Sequence, residues 1–425
     1  MEQLNAKGTR DVSGADAILK QRIAAALRSV FELYGFSPLE TPTLERFETL
    51  AAKYAGGDEI MKEVFKLQDQ GKRDLALRYD LTVPLARFIA SNPNLKMPFK
   101  RYAMGSVFRD GPIKLGRYRE FTQCDVDTVG NASMAADAEM LKIALDAFER
   151  LGLAVVVKVN NRKVLDAVIE KAGVPKEKVE TAILSIDKLE KFGKDAVEKE
   201  LAGKGISQAV TRKLLQLISV KGTNKEKLDA IKKSAGSSGI EEVESVLNFA
   251  NSKKVEFDPS LARGLAYYTG TVFEAYLTKS GIKSSVAAGG RYDRMIGSFV
   301  GNNRDYPAVG ISFGLDVIAD ALKLEKKETA ATVTTAFVIS IGEDRKAAEA
   351  LDMFRKAGIN CDADFSGKVG KAIEYASYYN VPFVVFIGKN EVASGKVKVR
   401  NLSDGRESEL TIEKAISLLS ASGSQ

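Results

Sequence analysis

The chain of 425 residues contains no histidine. That single absence excludes the Ser-His-Asp triad, the Cys-His pair and metal sites built on imidazole. Chemistry must run on carboxylates, guanidinium and ammonium groups, hydroxyls and placed hydrogen bonds. A divalent ion would be held by oxygen, which suits magnesium, and no metal ligand is expected from His or Cys. Cysteine is scarce too: Cys124 and Cys361 lie far apart and form no Cys-x-x-Cys, so a structural zinc site is not expected. A reducing, cytoplasmic setting is the simplest reading. No apolar run approaches the ~20 residues a membrane-spanning helix needs, and the first residues, MEQLNAKGTRD, lack the apolar core of a secretory signal. Neither GxxxxGK[ST] nor GxGxxG occurs, so a bound nucleotide would not use the common nucleotide folds.

The length exceeds one ordinary compact domain and fits two domains with an insertion. A net charge of +7 suits a polyanionic partner without requiring one. Residues 13–35 read as an amphipathic helix: Ser13 and Asp16 have capping-box spacing, Leu19, Ile23, Leu27, Val30, Phe31 and Tyr34 recur at helical intervals, and Gly35 ends it. Phe36 to Pro42 is extended. Residues 97–130 read as two strands around the loop Asp110–Gly116, then a helix over 135–151 and a β-branched strand over 152–160. From about 162 to 253 the chain is rich in Lys, Glu, Ala and Leu with helical periodicity, which predicts a helical insertion with a turn at AGSSG, 235–239. β-Rich sequence returns at 255–300, and a strand-to-helix unit runs from Ala308 to Leu322. After a polar linker at 326–335, TAFVISI, INCDAD and PFVVFIG alternate with helical patterns at 345–357 and 367–379. These boundaries give an α+β domain over 1–325 and an α/β domain over 330–425.

The chemistry-bearing segment is Arg117-Tyr-Arg-Glu-Phe-Thr-Gln-Cys-Asp-Val-Asp127. On a strand, Arg117, Arg119, Phe121, Gln123, Asp125 and Asp127 would share one face. Such a row is either a solvated face or a site. Arg109, across the loop, favours a site: three arginines near one hairpin can clamp a polyphosphate. Phe121 could stack on a base, while Gln123 and Asp127 could hold an amine or a ring N–H. Arg263 stands among small residues beside Tyr267 and Tyr268, where backbone can approach a ligand. AGGRYD, ending Tyr292-Asp293, reads as a strand-end turn by itself. Asp80 and Thr82 have the same parity and could share an extended face suited to an ammonium group, or lie at a helix cap.

Taken in order, these segments resemble the signature motifs of class II aminoacyl-tRNA synthetases. The helix and extended segment ending at Pro42 resemble motif 1, a dimer-forming element; FRDGPIKLGRYREFTQCDVD resembles motif 2; AVGISFGLDVI resembles motif 3. LARGLAYYTGTVFE and AAGGRYD resemble the two peptides peculiar to histidine–tRNA ligases, KGTRD fits as well, and the RDGP form of motif 2 looks archaeal or eukaryotic. The tail resembles the anticodon-binding domain of that family.

The resemblance implies a class II catalytic fold with a central antiparallel sheet. It implies activation of L-histidine by ATP, with Mg2+ expected alongside, and transfer to tRNA(His), by a cytoplasmic homodimer formed through motif 1. It places Arg109 and Arg263 on the α-phosphate as catalytic groups that also meet the histidine. It places Arg117 and Arg119 with ATP, and Phe121 on the adenine. Asp80, Thr82 and Gln123 would surround the ammonium; Asp127 and Tyr268 would meet the imidazole; Tyr267 and Tyr292 would complete the pocket. Two positions depart from the family: Val317 replaces the motif 3 arginine that binds the outer phosphate, and Ala266 replaces a frequent acidic residue. Either another cation takes the place of that arginine, or ATP is held less firmly. The alternative reading is a catalytically silent paralogue that regulates ATP phosphoribosyltransferase in histidine biosynthesis. Such proteins normally lack the tail and much of the arginine set.

Overall fold

Alternating apolar and polar side chains become paired strands wherever one face can be buried. The structure, a computed structural model, describes residues 4–52, 61–113, 116–264, 267–302, 304–325 and 331–422. The chain divides into two compact units, Met1–Asp11 with Arg22–Lys327, and Val12–Gln21 with Glu328–Gln425.

In chain order the strands of the first unit are β1 (Ser37–Pro38), β2 (Leu44–Arg46), β3 (Lys66–Gln68), β4 (Asp74–Leu77), β5 (Phe99–Phe108), β6 (Glu120–Val129), β7 (Val155–Asn161), β8 (Val255–Phe257), β9 (Thr271–Leu277), β10 (Ala287–Arg291) and β11 (Ala308–Gly314). Eight of them form one sheet in the order β1-β5-β6-β11-β10-β9-β7-β8, and β2-β4-β3 form a small separate sheet. The large sheet is antiparallel through its centre, with parallel pairs only at its edges, β1 with β5 and β7 with β8.

One face of that centre is apolar. Phe313 of β11 packs between Phe31 of the helix Gly14–Leu33 and Phe148 of the helix Met134–Arg150, with ring centroids 5.5 and 5.7 Å away. All three rings are fully buried, worth about 1.5–3 kcal/mol each. The register then sends every other residue of β6 to the opposite face, where the polar row lies.

The helices Arg162–Ala172, Val179–Ile186, Leu189–Gly203, Gln208–Ile218, Asn224–Ala235 and Ile240–Ala250 follow β7. They close around their own core, including Leu165, Val168, Ile183, Leu201, Leu214 and Val243. Thr223 and Glu226 form a reciprocal capping box at the start of one helix. The turn at AGSSG needs left-handed backbone at Gly239, with φ 74°.

In the second unit, β12 (Ala336–Ile341), β13 (Cys361–Asp364) and β14 (Phe383–Gly388) pair in parallel, and β15 (Val397–Asn401) and β16 (Glu407–Leu410) extend the sheet antiparallel. Period-2 alternation covers both faces. Ala336 and Val338 meet Ala347, Leu351 and Phe354 on one side; Phe337 and Ile339 meet Ala372 and Ala376 on the other. The α/β expectation for the tail omitted β15, β16 and the helix Ile412–Ser422, whose short polar-rich strands carry little apolar signal.

Candidate active site

The cavity floor follows from register. On β6, Gln123, Asp125 and Asp127 lie opposite Gly314, Ser312 and Gly310 of β11. On the other side they lie opposite Gly105, Ala103 and Arg101 of β5. Small residues beside a polar row leave space above it, and a cavity of about 440 Å³ fills that space. The glycines are required sterically. A Cβ on Gly310 would stand 1.9 Å from Asp127 Oδ1, and one on Gly290 would stand 2.8 Å from the Tyr268 ring. The Gly-Gly of AGGRYD therefore admits the strand to the site, and Tyr292 just beyond it donates its hydroxyl proton to Asp127.

Asp80, Thr82, Arg109, Phe121, Gln123, Asp127, Arg263, Tyr267, Tyr268 and Tyr292, ten of the residues anticipated from sequence, line this one cavity. Asp80 and Thr82 reach it differently from the extended face considered above. Thr82 begins the helix Thr82–Ser91, and Asp80 Oδ1 caps it by accepting from the Val83 N–H at 3.0 Å. Pro84 falls in the first turn, where its missing N–H costs no intrahelical bond. Burial pushes the Asp80 carboxyl up to about 6. Arg109 donates from Nε to the Tyr79 carbonyl and holds its guanidinium 5.2 Å from the Phe121 ring centre. Desolvation lowers its pKa, but arginine stays cationic at neutral pH.

Arg263 donates to Glu274 Oε1 at 2.8 Å and lies 5.6 Å from the Tyr268 ring centre. Burial alone would lower its pKa, but Tyr268, Glu274, Tyr267 and Asp187 around it raise it above the ordinary value. Sequence reading missed Glu274 and Asp187. Glu274 is the lone carboxylate in the apolar run Thr271–Leu277, a usable signal. Asp187 comes from the helical insertion, and nothing local marks it as a cavity residue.

Unpaired groups give the cavity its chemistry. Gln123 donates from Nε2 to Ser312 Oγ at 2.8 Å, which leaves its carbonyl oxygen buried without a partner among the described residues. Asp125 Oδ1 and Arg263 Nε are likewise unpartnered there. Asp127 Oδ2 lies 2.7 Å from Arg101 Nη2, an ion pair whose N–H is not aligned for a hydrogen bond. Acceptors on the floor and arginine donors on the walls suit a zwitterion with further anionic groups.

Two placements correct the strand-face expectation. β6 starts only at Glu120, so Arg117 and Arg119 precede the strand and do not line the cavity. The backbone N–H of Arg119 donates to the Gly8 carbonyl, which holds this segment as a loop, and its side chain pairs with Asp110 at 2.8 Å. Arg117 pairs with Glu63 at 3.1 Å.

A family model described as histidyl-tRNA synthetase matches residues 8–318, spanning the whole cavity lining, and one described as an anticodon-binding domain matches 335–422. The chain belongs to the histidyl-tRNA synthetase family. It is 43% identical over 415 residues to histidine–tRNA ligase 1 of Bacillus cereus, covering 96% of this chain and 95% of that one. It is 39% identical over 423 residues to histidine–tRNA ligase of Aeropyrum pernix, covering 96% of each. Its fold matches the crystal structure of histidyl-tRNA synthetase from Nostoc sp. PCC 7120 with a TM-score of 0.86 at 30% identity, covering 99% of this chain and 100% of that one. Val317, expected from the resemblance to stand in place of a motif 3 arginine, has a defined setting. Val317 is buried, and its methyl carbons leave no room for a side chain on Gly314, whose Cβ would stand 2.8 Å from Val317 Cγ1. The neighbouring Asp316 holds Arg10 of the KGTRD segment at 2.9 Å and accepts from the Thr122 N–H. Ala266, the other departure, and Lys114 of the motif 2 loop lie outside the described residues.

Proposed function

We propose that the cavity activates L-histidine with ATP, forming histidyl-adenylate and pyrophosphate, and then passes histidine to the 3′ end of tRNA(His). The observation that carries this reading is the joining, in one cavity, of the unpartnered Gln123 carbonyl and the Asp127 carboxylate with the guanidinium groups of Arg109 and Arg263. Adenylate formation needs no general base, because the attacking carboxylate is already an anion. It needs alignment and neutralisation of the charge that builds on phosphorus. Arg109 and Arg263 supply that charge to the α-phosphate and the histidine carboxylate, and Phe121 offers its ring to the adenine. Asp80, Thr82 and Gln123 receive the ammonium group. Asp127 and Tyr268 meet the two ring nitrogens, enclosed by Tyr267 and Tyr292. A site of this kind rejects apolar isosteres because its own buried polar groups would be left unpaired.

Arg117 and Arg119 serve the outer phosphates in this reading, which requires them to leave Glu63 and Asp110 when ATP arrives. Magnesium enters with ATP, coordinated by phosphate oxygens and water. The tail reads the anticodon by placed hydrogen bonds and stacking. Two copies associate through the motif 1 region, in the cytoplasm. Among the described residues no helix is long and apolar enough to cross a membrane.

The silent regulatory paralogue is disfavoured by the intact arginine pair and by the anticodon-domain match over 335–422. Charging separates the two readings. Purified protein given labelled histidine, ATP and a tRNA(His) transcript is expected to yield acid-precipitable histidyl-tRNA. No product with several tRNA(His) sources, at high enzyme concentration, would overturn the ligase reading.

A further inference from the structure

The cavity floor carries a carboxylate that neither the motif likeness nor the roles above use. Asp125 lies between Gln123 and Asp127 on β6, is buried at 3% exposure, and lines the cavity. Its Oδ1 finds no hydrogen-bond partner among the described residues. Ser312 Oγ, which accepts from Gln123 Nε2, also lies close enough to the Asp125 carboxyl to lower its pKa, so one hydroxyl serves both side chains. With its amide N–H committed to Ser312, Gln123 turns an oxygen to the cavity. Gln123 Oε1 and Asp125 Oδ1 are thus two adjacent, buried acceptors in want of donors.

We infer that Asp125 is a further substrate-binding residue of the amino-acid pocket, whose free oxygen accepts an N–H of the bound amino acid beside the Gln123 carbonyl. This deepens the histidine-activation reading and rests on it. The ligand chemistry is a nitrogen-borne donor next to a positive charge, either the α-ammonium or the imidazole N–H.

The surroundings work against the charged form of this group. Arg78, Asp80, Arg101, Asp127, Tyr268 and Tyr292 are the charged and titratable groups facing it. Burial pushes its carboxyl up to about 7, Arg101 and Ser312 opposing and Asp127 and Asp80 reinforcing. A carboxyl held above its unfolded value stabilises the fold only while protonated. That contribution is complete below about 3.9 and is lost as pH rises through the folded value near 7. At pH 8 the empty protein therefore bears a buried charge that Arg101 offsets only in part, and a ligand donor relieves the rest.

Histidine-dependent ATP–pyrophosphate exchange tests the inference with Asp125→Asn in the full chain. The expected result is a KM for histidine raised about 10–150-fold, the range set by loss of a charge-assisted hydrogen bond, with kcat and the KM for ATP within about threefold. The melting temperature of the empty variant should exceed that of the parent at pH 8, by about 1–4 °C, and this gain should disappear at pH 5. Competition by two analogues identifies the donor. Histamine keeps the ammonium and ring, and imidazolepropionate keeps the ring but not the ammonium. If only histamine weakens in the variant, Asp125 meets the ammonium; if both weaken, it meets the ring. An unchanged KM for histidine, or a fall in stability with kcat and both KM values impaired together, would overturn the assignment. If Asp125→Asn does not fold, Asp125→Ser repeats the test with a smaller uncharged side chain. Absence of exchange in the parent protein would instead strike at the histidine-activation reading itself.

Discussion

Replacing Arg263 with alanine is expected to slow histidyl-adenylate formation about 10²–10³-fold while changing histidine affinity less than about tenfold. The asymmetry follows from where the charge sits. Arg263 is held by Glu274 at 2.8 Å and lies over Tyr268, with its Nε unpartnered. A guanidinium preorganised in this way does most when negative charge grows on the α-phosphate, and it costs no reorganisation at that moment. Histidine affinity is shared with Asp80, Gln123 and Asp127, which the substitution leaves in place. Single-turnover adenylate formation and equilibrium histidine titration separate the two quantities. Equal losses in both would make Arg263 a binding residue only.

The largest effect on stability is expected from Arg101→Met. Arg101 is 1% exposed, pairs with Asp127 at 2.7 Å, donates to the Leu81 carbonyl, and is a counter-charge for Asp125. Methionine fills similar volume but leaves two buried carboxylates without their cation. Breaking a buried pair in this way costs about 3–5 kcal/mol, or roughly 4–8 °C in melting temperature for a unit of this size. The pH dependence has a definite sign. Burial raises the pKa of both Asp125 and Asp127, opposed by Arg101, so its loss drives them further towards the neutral form. The penalty should be greatest at pH 8, where the carboxylates must ionise, and smaller at pH 5, where they take up protons. Melting curves at the two pH values check this. A penalty that is the same at both would place the effect in packing instead of charge.

Much of the site was legible because it lies on one strand. Period-2 alternation put Gln123, Asp125 and Asp127 on a common face, and the structure keeps them there opposite glycines and serine. The same alternation failed for Arg117 and Arg119, because β6 begins later than the pattern allows. What ends the strand is a hydrogen bond from Arg119 to Gly8, a partner remote in sequence. Asp80 and Thr82 were placed in the right cavity while the extended-face option for them does not occur. Asp80 ahead of Pro84 is a helix-start signal, and parity does not apply to a cap. Asp187 was invisible because its approach to Arg263 depends on how the insertion folds around its own core, a tertiary matter. In the tail, the parallel strands were readable from apolar runs such as PFVVFIG, whereas VKVRN and ESEL were too short and polar to stand out.

The acceptors on the floor and the arginines on the walls together make one prediction more direct than any substitution. ATP–pyrophosphate exchange, measured with each amino acid in turn and no tRNA present, should proceed with L-histidine and stay at background with the other standard amino acids. Exchange that is absent with histidine, or equally supported by another amino acid, would contradict the account.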